Sequence, residues 1–118
     1  MQIQWSGLIP LDESHINSLV PPSPGVYVLW VKLQSGNLRC YYVGQAVDLR
    51  TRLLEHLSQG EMNQCIKTHV HKHICSFQFA LVTRQADRDG IEKYLYDYYK
   101  PECNQKDPGG TPIPVNLP

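Results

Sequence analysis

The chain has 118 residues, of which 42% are hydrophobic, so it suits one domain with a modest core and leaves little room for a second. Lysine and arginine together number 11, as do aspartate and glutamate, and the formal net charge is +0. Phosphate contacts come from basic patches, so this balance argues against tight, autonomous binding of nucleic acid. It does not exclude chemistry on a nucleic acid that another molecule holds.

The cysteines and the absence of apolar runs indicate a compartment. No basic start followed by an apolar run opens the chain, and no stretch approaches the length of a membrane span. The four cysteines are widely spaced and contain no Cys-x-x-Cys pair: Cys40, Cys65, Cys75 and Cys103. We therefore expect reduced thiols and a cytoplasmic location.

Residues 1–24 are predicted to form an N-terminal extension packed on the core. Within it, Gln2-Ile3-Gln4-Trp5 is interpreted as a short edge strand, and Asp12-Glu13-Ser14 can start a helical turn. Pro21-Pro22-Ser23-Pro24 then forces an extended entry into the next element.

The next stretch predicts a β-hairpin followed by a helix. Gly25 to Val31 is apolar and rich in β-branched and aromatic residues, which favours a strand. Gln34-Ser35-Gly36-Asn37 is a turn cluster, and Leu38 to Val43 predicts a second strand that Gly44 ends. From Val47 the apolar residues recur with the period of a helix.

The remaining elements complete the predicted fold. They are a helix from Met62 to His73, a strand from Cys75 to Val82, and a helix that ends near Tyr99 before Pro101. Residues 105–118 are interpreted as an irregular tail rich in proline and glycine. The sum, over residues 25–104, is an α+β domain with a small three-stranded antiparallel sheet flanked by three helices.

Four polar side chains are predicted to converge beside the hairpin. A hairpin brings its two strands into contact, so Tyr27 and Tyr42 can approach each other. Arg52 and His56 are four residues apart and share a face of the helix. Arginine offers a planar fork suited to phosphate, and tyrosine and histidine can exchange protons.

These residues carry a family resemblance. Gly25-Val26-Tyr27 followed by Tyr42-Val43-Gly44 resembles the paired motifs of the GIY-YIG endonuclease family. In that family an Arg lies eight residues after the second motif's Gly, and often a His twelve after it. Arg52 and His56 fill those positions. The connection between the two motifs is on the long side for the family, so we expect an extended or bulged hairpin.

A Glu on a later helix and, in many members, an Asn twelve residues beyond it complete the family pattern. Glu92 and Asn104 have that spacing. Each short motif is weak alone, whereas the ordered set is specific. The resemblance implies the GIY-YIG nuclease fold and metal-dependent hydrolysis of DNA phosphodiester bonds at a single active site.

The resemblance also implies a role for each catalytic candidate. Glu92 would hold one divalent metal, Mg²⁺ or Mn²⁺, for which one carboxylate suffices because waters and substrate supply the other ligands. Arg52 would clamp the scissile phosphate, and His56 would hydrogen-bond a tyrosine or the phosphate. One tyrosine would be the general base: Tyr27 is favoured, with Tyr42 orienting water or phosphate, and the reverse assignment stays open.

Three further residues are candidates for substrate binding. Gly25 and Gly44 lie where bulkier groups would crowd a phosphate, although a purely structural turn role is equally compatible. Asn104 would hold a neighbouring group or the DNA backbone near the metal.

Two other classes of function stay open. A non-catalytic module for binding nucleic acid or protein would keep the fold, but the presence of Glu92 and Arg52 argues against it. A subunit that acts only with a partner would fit the neutral charge, because a partner protein or a second copy would then supply the affinity for DNA.

A group of histidines and cysteines forms a second candidate site. Cys65, His69 and His73 are spaced four apart and would align on one helix, with His71 and Cys75 nearby. No pair among them is matched by a second pair at a familiar zinc spacing. The preferred interpretation is a surface helix with some histidines against the sheet.

Overall fold

The computed structural model describes residues 1–118. In chain order its elements are β1 (Ile9–Pro10), α1 (Glu13–Leu19), β2 (Gly25–Lys32), β3 (Leu38–Ala46), α2 (Leu49–Leu57), α3 (Gln64–Lys72), β4 (Cys75–Leu81) and α4 (Gln85–Tyr99). None of the helices combines the length and the apolar character needed to cross a membrane.

The sheet is antiparallel, with the strand order β1-β4-β2-β3. Strand β2 lies inside it and is apolar almost throughout, because both of its faces are covered. Tyr27 and Leu29 point to the core shared with α1, α2 and α3. Val26 and Val28 point to the second core, on the face that α4 covers. Strand β3 is left at one edge of the sheet.

The predicted α+β class is confirmed, but the predicted number of elements is wrong. The molecule has four strands and four helices instead of three of each. The additional helix α1 begins after Asp12, whose carboxylate accepts a hydrogen bond from the backbone N–H of His15. It buries Ile16 completely, so packing stabilises a segment that is too short to be helical alone.

The expected edge strand lies further along the chain than predicted. Ile9 and Pro10 pair with β4, whereas the predicted strand at residues 2–5 makes one bridge, from Trp5 to Ala80. Proline lacks a backbone N–H, and an edge strand tolerates this because one of its sides has no partner strand.

Strand β3 is longer than predicted and contains a bulge. Gly44 lies within the strand, opposite Tyr27, and the strand continues to Ala46. The register shifts so that Leu29 faces Tyr42 while Trp30 faces Cys40, which leaves Tyr41 as the extra residue. Both Tyr41 and Tyr42 therefore contact the core on the side of α2 and α3.

The two ends of the chain pack together. The side chain of Asn116 accepts from the backbone N–H of Ile3 and donates to its carbonyl, and the indole of Trp5 donates to the carbonyl of Asn116. Ile113 lies against Gly90 of α4, where a Cβ would come within 2.4 Å of its side chain. The tail has no helix or strand, yet it covers part of α4.

Two of the cysteines contradict the sequence-based prediction. Cys65 and Cys103 form a disulfide with their Cα atoms 5.3 Å apart, so the expectation of reduced thiols is wrong for this pair. Cys40 and Cys75 are free. The pairing joins α3 to the segment after α4 over a separation of 38 residues, which only the tertiary packing brings together.

Candidate active site

Tyr27 and His56 form a buried pair. Both are 0% exposed, and the Tyr27 hydroxyl lies 2.6 Å from Nε2 of His56. Burial, and then the positive charge of Arg52, lower the pKa of His56 to about 3. Burial likewise raises the pKa of Tyr27 well above 10. The imidazole is therefore neutral and accepts a hydrogen bond from the phenol. Of the partners expected for His56, a tyrosine or the phosphate, the structure contains the tyrosine, Tyr27.

Glu61 is a third residue of this group, and nothing in the sequence predicted its place there. Its side chain is 5% exposed, with one carboxylate oxygen 3.5 Å from Nδ1 of His56 and the other 3.8 Å from a guanidinium nitrogen of Arg52. A carboxylate facing Nδ1 favours the tautomer that is protonated there, which leaves Nε2 free to accept. Glu61 lies in the loop before α3, where no periodicity or motif marks it.

Tyr42 lies beside this group and remains accessible. Its ring centroid is 6.1 Å from that of Tyr27 and 5.3 Å from that of His56. Burial raises the pKa of Tyr42, while the positive charge of the neighbouring Arg52 lowers it. Of the two predicted tyrosines, Tyr42 is thus the one that has both solvent access and a facing cation.

Two clefts meet at Tyr42. One, of about 300 Å³, is lined by Tyr42 with Arg52 and Glu61. The other, of about 260 Å³, is lined by Tyr42 with Glu92 and Asn104. Tyr42 lines both clefts, whereas the buried Tyr27 and His56 line neither.

Glu92 approaches the site from α4, on the opposite face of the sheet from Tyr27. It is partly buried, and this burial raises the pKa of its carboxyl. One of its oxygens accepts from the side-chain amide of Gln45 at 3.1 Å, and the same amide nitrogen donates to Asp89 at 2.7 Å. Gln45 was not predicted, although it lies two residues beyond Val43 and so on the α4 face of β3.

Asn104 pairs with the edge of β3 through its side chain. Its Oδ1 accepts from the backbone N–H of Val43 at 3.0 Å, and its Nδ2 donates to the carbonyl of Val43 at 2.9 Å. These are the bonds that a neighbouring strand would make. Asn104 was predicted to contact a neighbouring group or the DNA backbone, and the contact present is with the backbone of the protein.

The two glycines predicted to bind substrate lie against protein atoms. A Cβ at Gly25 would come within 2.3 Å of the carbonyl oxygen of Ala80 and 2.6 Å of Leu49. A Cβ at Gly44 would come within 2.5 Å of the Tyr27 ring. These contacts favour a packing role, in which Gly44 provides the space for the Tyr27 phenol.

The comparisons with known proteins point to the same architecture. No family model matches the chain. The chain is 28% identical over 97 residues to UvrABC system protein C of Caldicellulosiruptor saccharolyticus, which covers 82% of this chain but 15% of that protein. The chain thus spans under a sixth of that relative's length.

Solved structures of one domain align with most of the chain. They are of the GIY-YIG N-terminal endonuclease domain of UvrC from Thermotoga maritima. A tyrosine point mutant bound to its catalytic divalent cation aligns with a TM-score of 0.58 and 22% identity, over 77% of this chain and 96% of that one. The magnesium-bound form aligns with a TM-score of 0.57 and 23% identity, over 75% and 94%.

The fold of the chain is similar to that of a GIY-YIG endonuclease domain. One such domain to which it is similar is the N-terminal endonuclease domain of UvrC.

Proposed function

We propose that this protein is a metal-dependent endonuclease that hydrolyses DNA phosphodiester bonds at a single GIY-YIG-type active site. The observation that carries the proposal is the junction at Tyr42, where a cleft containing a guanidinium meets a cleft containing a partly buried carboxylate. Phosphodiester hydrolysis needs charge stabilisation at the phosphate, a proton acceptor for water, and help for the leaving oxygen. Arg52, Tyr42 and Glu92 are suited to supply these three.

In this proposal Arg52 binds the scissile phosphate and Tyr42 is the general base. The sequence favoured Tyr27 as the base, but its phenol is buried, donates to His56 and has a strongly raised pKa. Tyr42 faces Arg52, whose positive charge favours the phenolate. Tyr27, His56 and Glu61 then act as positioning residues, because they hold Arg52 and the Tyr42 ring from the interior.

The residues around Glu92 fit a divalent metal. Glu92 and Asp89 share one amide donor, and burial together with the nearby negative charge of Asp89 raises the pKa of Glu92, so a cation there would offset the repulsion between the two carboxylates. Hard oxygen ligands of this kind suit Mg²⁺ or Mn²⁺. Glu92 would be the ligand, and when bound the ion would supply positive charge for the phosphate and the leaving oxygen.

A second candidate function is a subunit that depends on a partner or that binds without cutting. The net charge of +0 favours it, since DNA affinity normally comes from an excess of basic residues. A partner protein or a second copy would then bring the DNA, and the relative from Caldicellulosiruptor saccharolyticus is named as one component of a UvrABC system. The cytoplasmic location stays a prediction, which cell fractionation would test.

A cleavage assay on plasmid, duplex, flap and branched DNA tests the proposal. Native protein with Mg²⁺ or Mn²⁺ is expected to cut at least one of these DNAs, and Glu92→Gln or a chelator is expected to abolish cutting. Glu13→Gln, on the exposed surface of α1, is the matched control and is expected to cut like the native protein. Cutting that survives Glu92→Gln would contradict the metal role. Absence of any cutting would favour the partner-dependent function.

A further inference from the structure

A second cluster of metal-binding side chains lies away from Glu92. Cys65 and His69 are one turn apart on α3, and Glu102 and Cys103 are consecutive after α4. One potential ligand atom from each of the four lies within 4.8 Å of all the others. Two thiols, an imidazole and a carboxylate that converge from two segments are the types of ligand found in structural zinc sites.

The disulfide accounts for only two members of this cluster. Nε2 of His69 lies 2.8 Å from a carboxylate oxygen of Glu102, while Nδ1 of His69 is buried and has no hydrogen-bond partner. The ring stacks on Tyr41 with 4.6 Å between centroids, so its orientation is set by packing. The disulfide itself requires neither the oriented imidazole nor the carboxylate, so both are available as ligands beside the two sulfurs.

We propose that the reduced protein binds one zinc ion through Cys65, His69, Glu102 and Cys103. A dithiol reductant opens the disulfide: two electrons and two protons pass to the sulfurs, and the reagent becomes a cyclic disulfide. Zn²⁺ then replaces the two thiol protons, which pass to solvent. In a tetrahedral site the two sulfurs would lie about 3.8 Å apart, given Zn–S bonds of about 2.3 Å.

The zinc site stabilises the segment that carries Asn104. The backbone N–H of Cys103 donates to the carbonyl of Tyr41 at 2.8 Å, and the side chain of Asn63 donates to the carbonyl of Cys103 at 2.9 Å. The next residue is Asn104, which pairs with the edge of β3. The ion thus links α3 to the edge of β3 at the candidate active site. The zinc site does not depend on the proposed nuclease function.

A cobalt titration tests the zinc site, because Co²⁺ occupies tetrahedral zinc sites and absorbs visible light. Untagged full-length protein is reduced with a dithiol, freed of the reagent under inert gas, and titrated with Co²⁺. We expect one equivalent to bind with a thiolate-to-cobalt charge-transfer band, and Zn²⁺ to displace it. Native reduced protein that binds no stoichiometric Co²⁺ would overturn the proposal without any variant.

Variants then assign the ligands. Cys103→Ser removes one of the two thiolates and is expected to lower the intensity of the charge-transfer band by about half or more, and Glu102→Gln is expected to weaken metal binding about tenfold or more. Cys75→Ser and His71→Gln are the matched controls and are expected to bind Co²⁺ like the native protein. Glu92→Gln is also expected to retain the band, which separates this site from the proposed nuclease metal. A band of undiminished intensity in Cys103→Ser, or loss of the band in Cys75→Ser, would overturn the assignment.

Discussion

At the residue scale, the hydrogen bond between Tyr27 and His56 joins two side chains that are completely buried. The bond is 2.6 Å long and connects β2 to α2 through the core. A buried acceptor that loses its donor keeps the full penalty of desolvation. The pair therefore contributes to the stability of the fold as well as to the position of the neighbouring Tyr42 ring.

Tyr27→Phe is expected to lower the free energy of unfolding by about 1–3 kcal/mol, because Nε2 of His56 is left without a donor. The matched control is Tyr41→Phe. The Tyr41 hydroxyl is also buried but has no hydrogen-bond partner, so its removal is expected to change the stability by less than about 1 kcal/mol. Urea denaturation of the three proteins measures the difference, and equal losses in the two variants would contradict this account of the pair.

The stability is also expected to depend on pH through His56. Its pKa is about 3 in the folded chain against an ordinary value of 6.5, so between these values only the unfolded chain binds the proton. The free energy of unfolding therefore falls as the pH drops below about 6.5, by at most about 1.4 kcal/mol per pH unit from this residue.

Urea denaturation of native protein and His56→Gln between about pH 7 and pH 5 tests this dependence. The variant keeps a hydrogen-bond acceptor for Tyr27 but has no imidazole to protonate, so its stability is expected to change less with pH. Arg52, Tyr42 and Glu61 face position 56 in both proteins, and their contributions therefore largely cancel in the comparison. Identical pH dependence in the two proteins would be incompatible with a buried neutral imidazole.

At the scale of elements, the hairpin of β2 and β3 brings the two motifs together. Gly44 faces Tyr27 across the two strands, and the bulge at Tyr41 turns two successive tyrosines toward the same core. The bulge and the close approach at Gly44 together determine where the Tyr42 ring lies.

Gly44→Ala is expected to destabilise the fold by about 1–3 kcal/mol, because the new methyl group overlaps the buried Tyr27 ring. Gly7→Ala is the control, since nothing lies within 4 Å of a Cβ at that position. Its effect is expected to stay within about 0.5 kcal/mol. Thermal or urea denaturation compares the two, and similar stabilities of both variants would exclude the packing role of Gly44.

The elements that the sequence predicted best are those with a strong local pattern. Strand β2 is continuously apolar and was predicted within one residue of its observed bounds, and the helical apolar pattern placed the start of α2 within two residues of Leu49. Helix α1 forms through tertiary packing of Ile16, which a local pattern does not reveal. The motif spacing placed the candidate residues in order along the chain, because all of them except Asn104, which follows α4, lie at a defined position in a strand or helix.

Long-range contacts account for what the sequence did not predict. Glu61 comes from a loop, and the Cys65–Cys103 pairing depends on how α3 packs against the end of α4. The choice between Tyr27 and Tyr42 as the base depends on how deeply each is buried. The sequence pattern does not reveal this difference, because both tyrosines lie on the same face of the hairpin. These features follow from packing between elements and therefore require the structure.

At the scale of the whole molecule, charge balance sets the expected affinity for DNA. With a net charge of +0, the chain alone has no excess of basic residues to release counterions from the phosphate backbone. A partner protein or a second copy would then be needed to raise the local concentration of DNA at the two clefts.

DNA binding by the isolated chain is therefore expected to be no tighter than about 1 µM at physiological salt. Fluorescence anisotropy with labelled duplex and branched DNA measures it, with Glu92→Gln used to prevent cleavage. Nanomolar binding by the chain alone would contradict this expectation and would remove the need for a partner.

The most direct test of the proposed active site is the single-turnover cleavage rate of Tyr42→Phe on a DNA that the native protein cuts. Loss of a general base is expected to lower the rate by about 10²–10⁴-fold. Tyr98→Phe is the matched control, because its ring is exposed on α4 and lines neither cleft, and it is expected to cut at the native rate. Native cleavage by Tyr42→Phe would contradict the assignment of the chemistry to the junction of the two clefts.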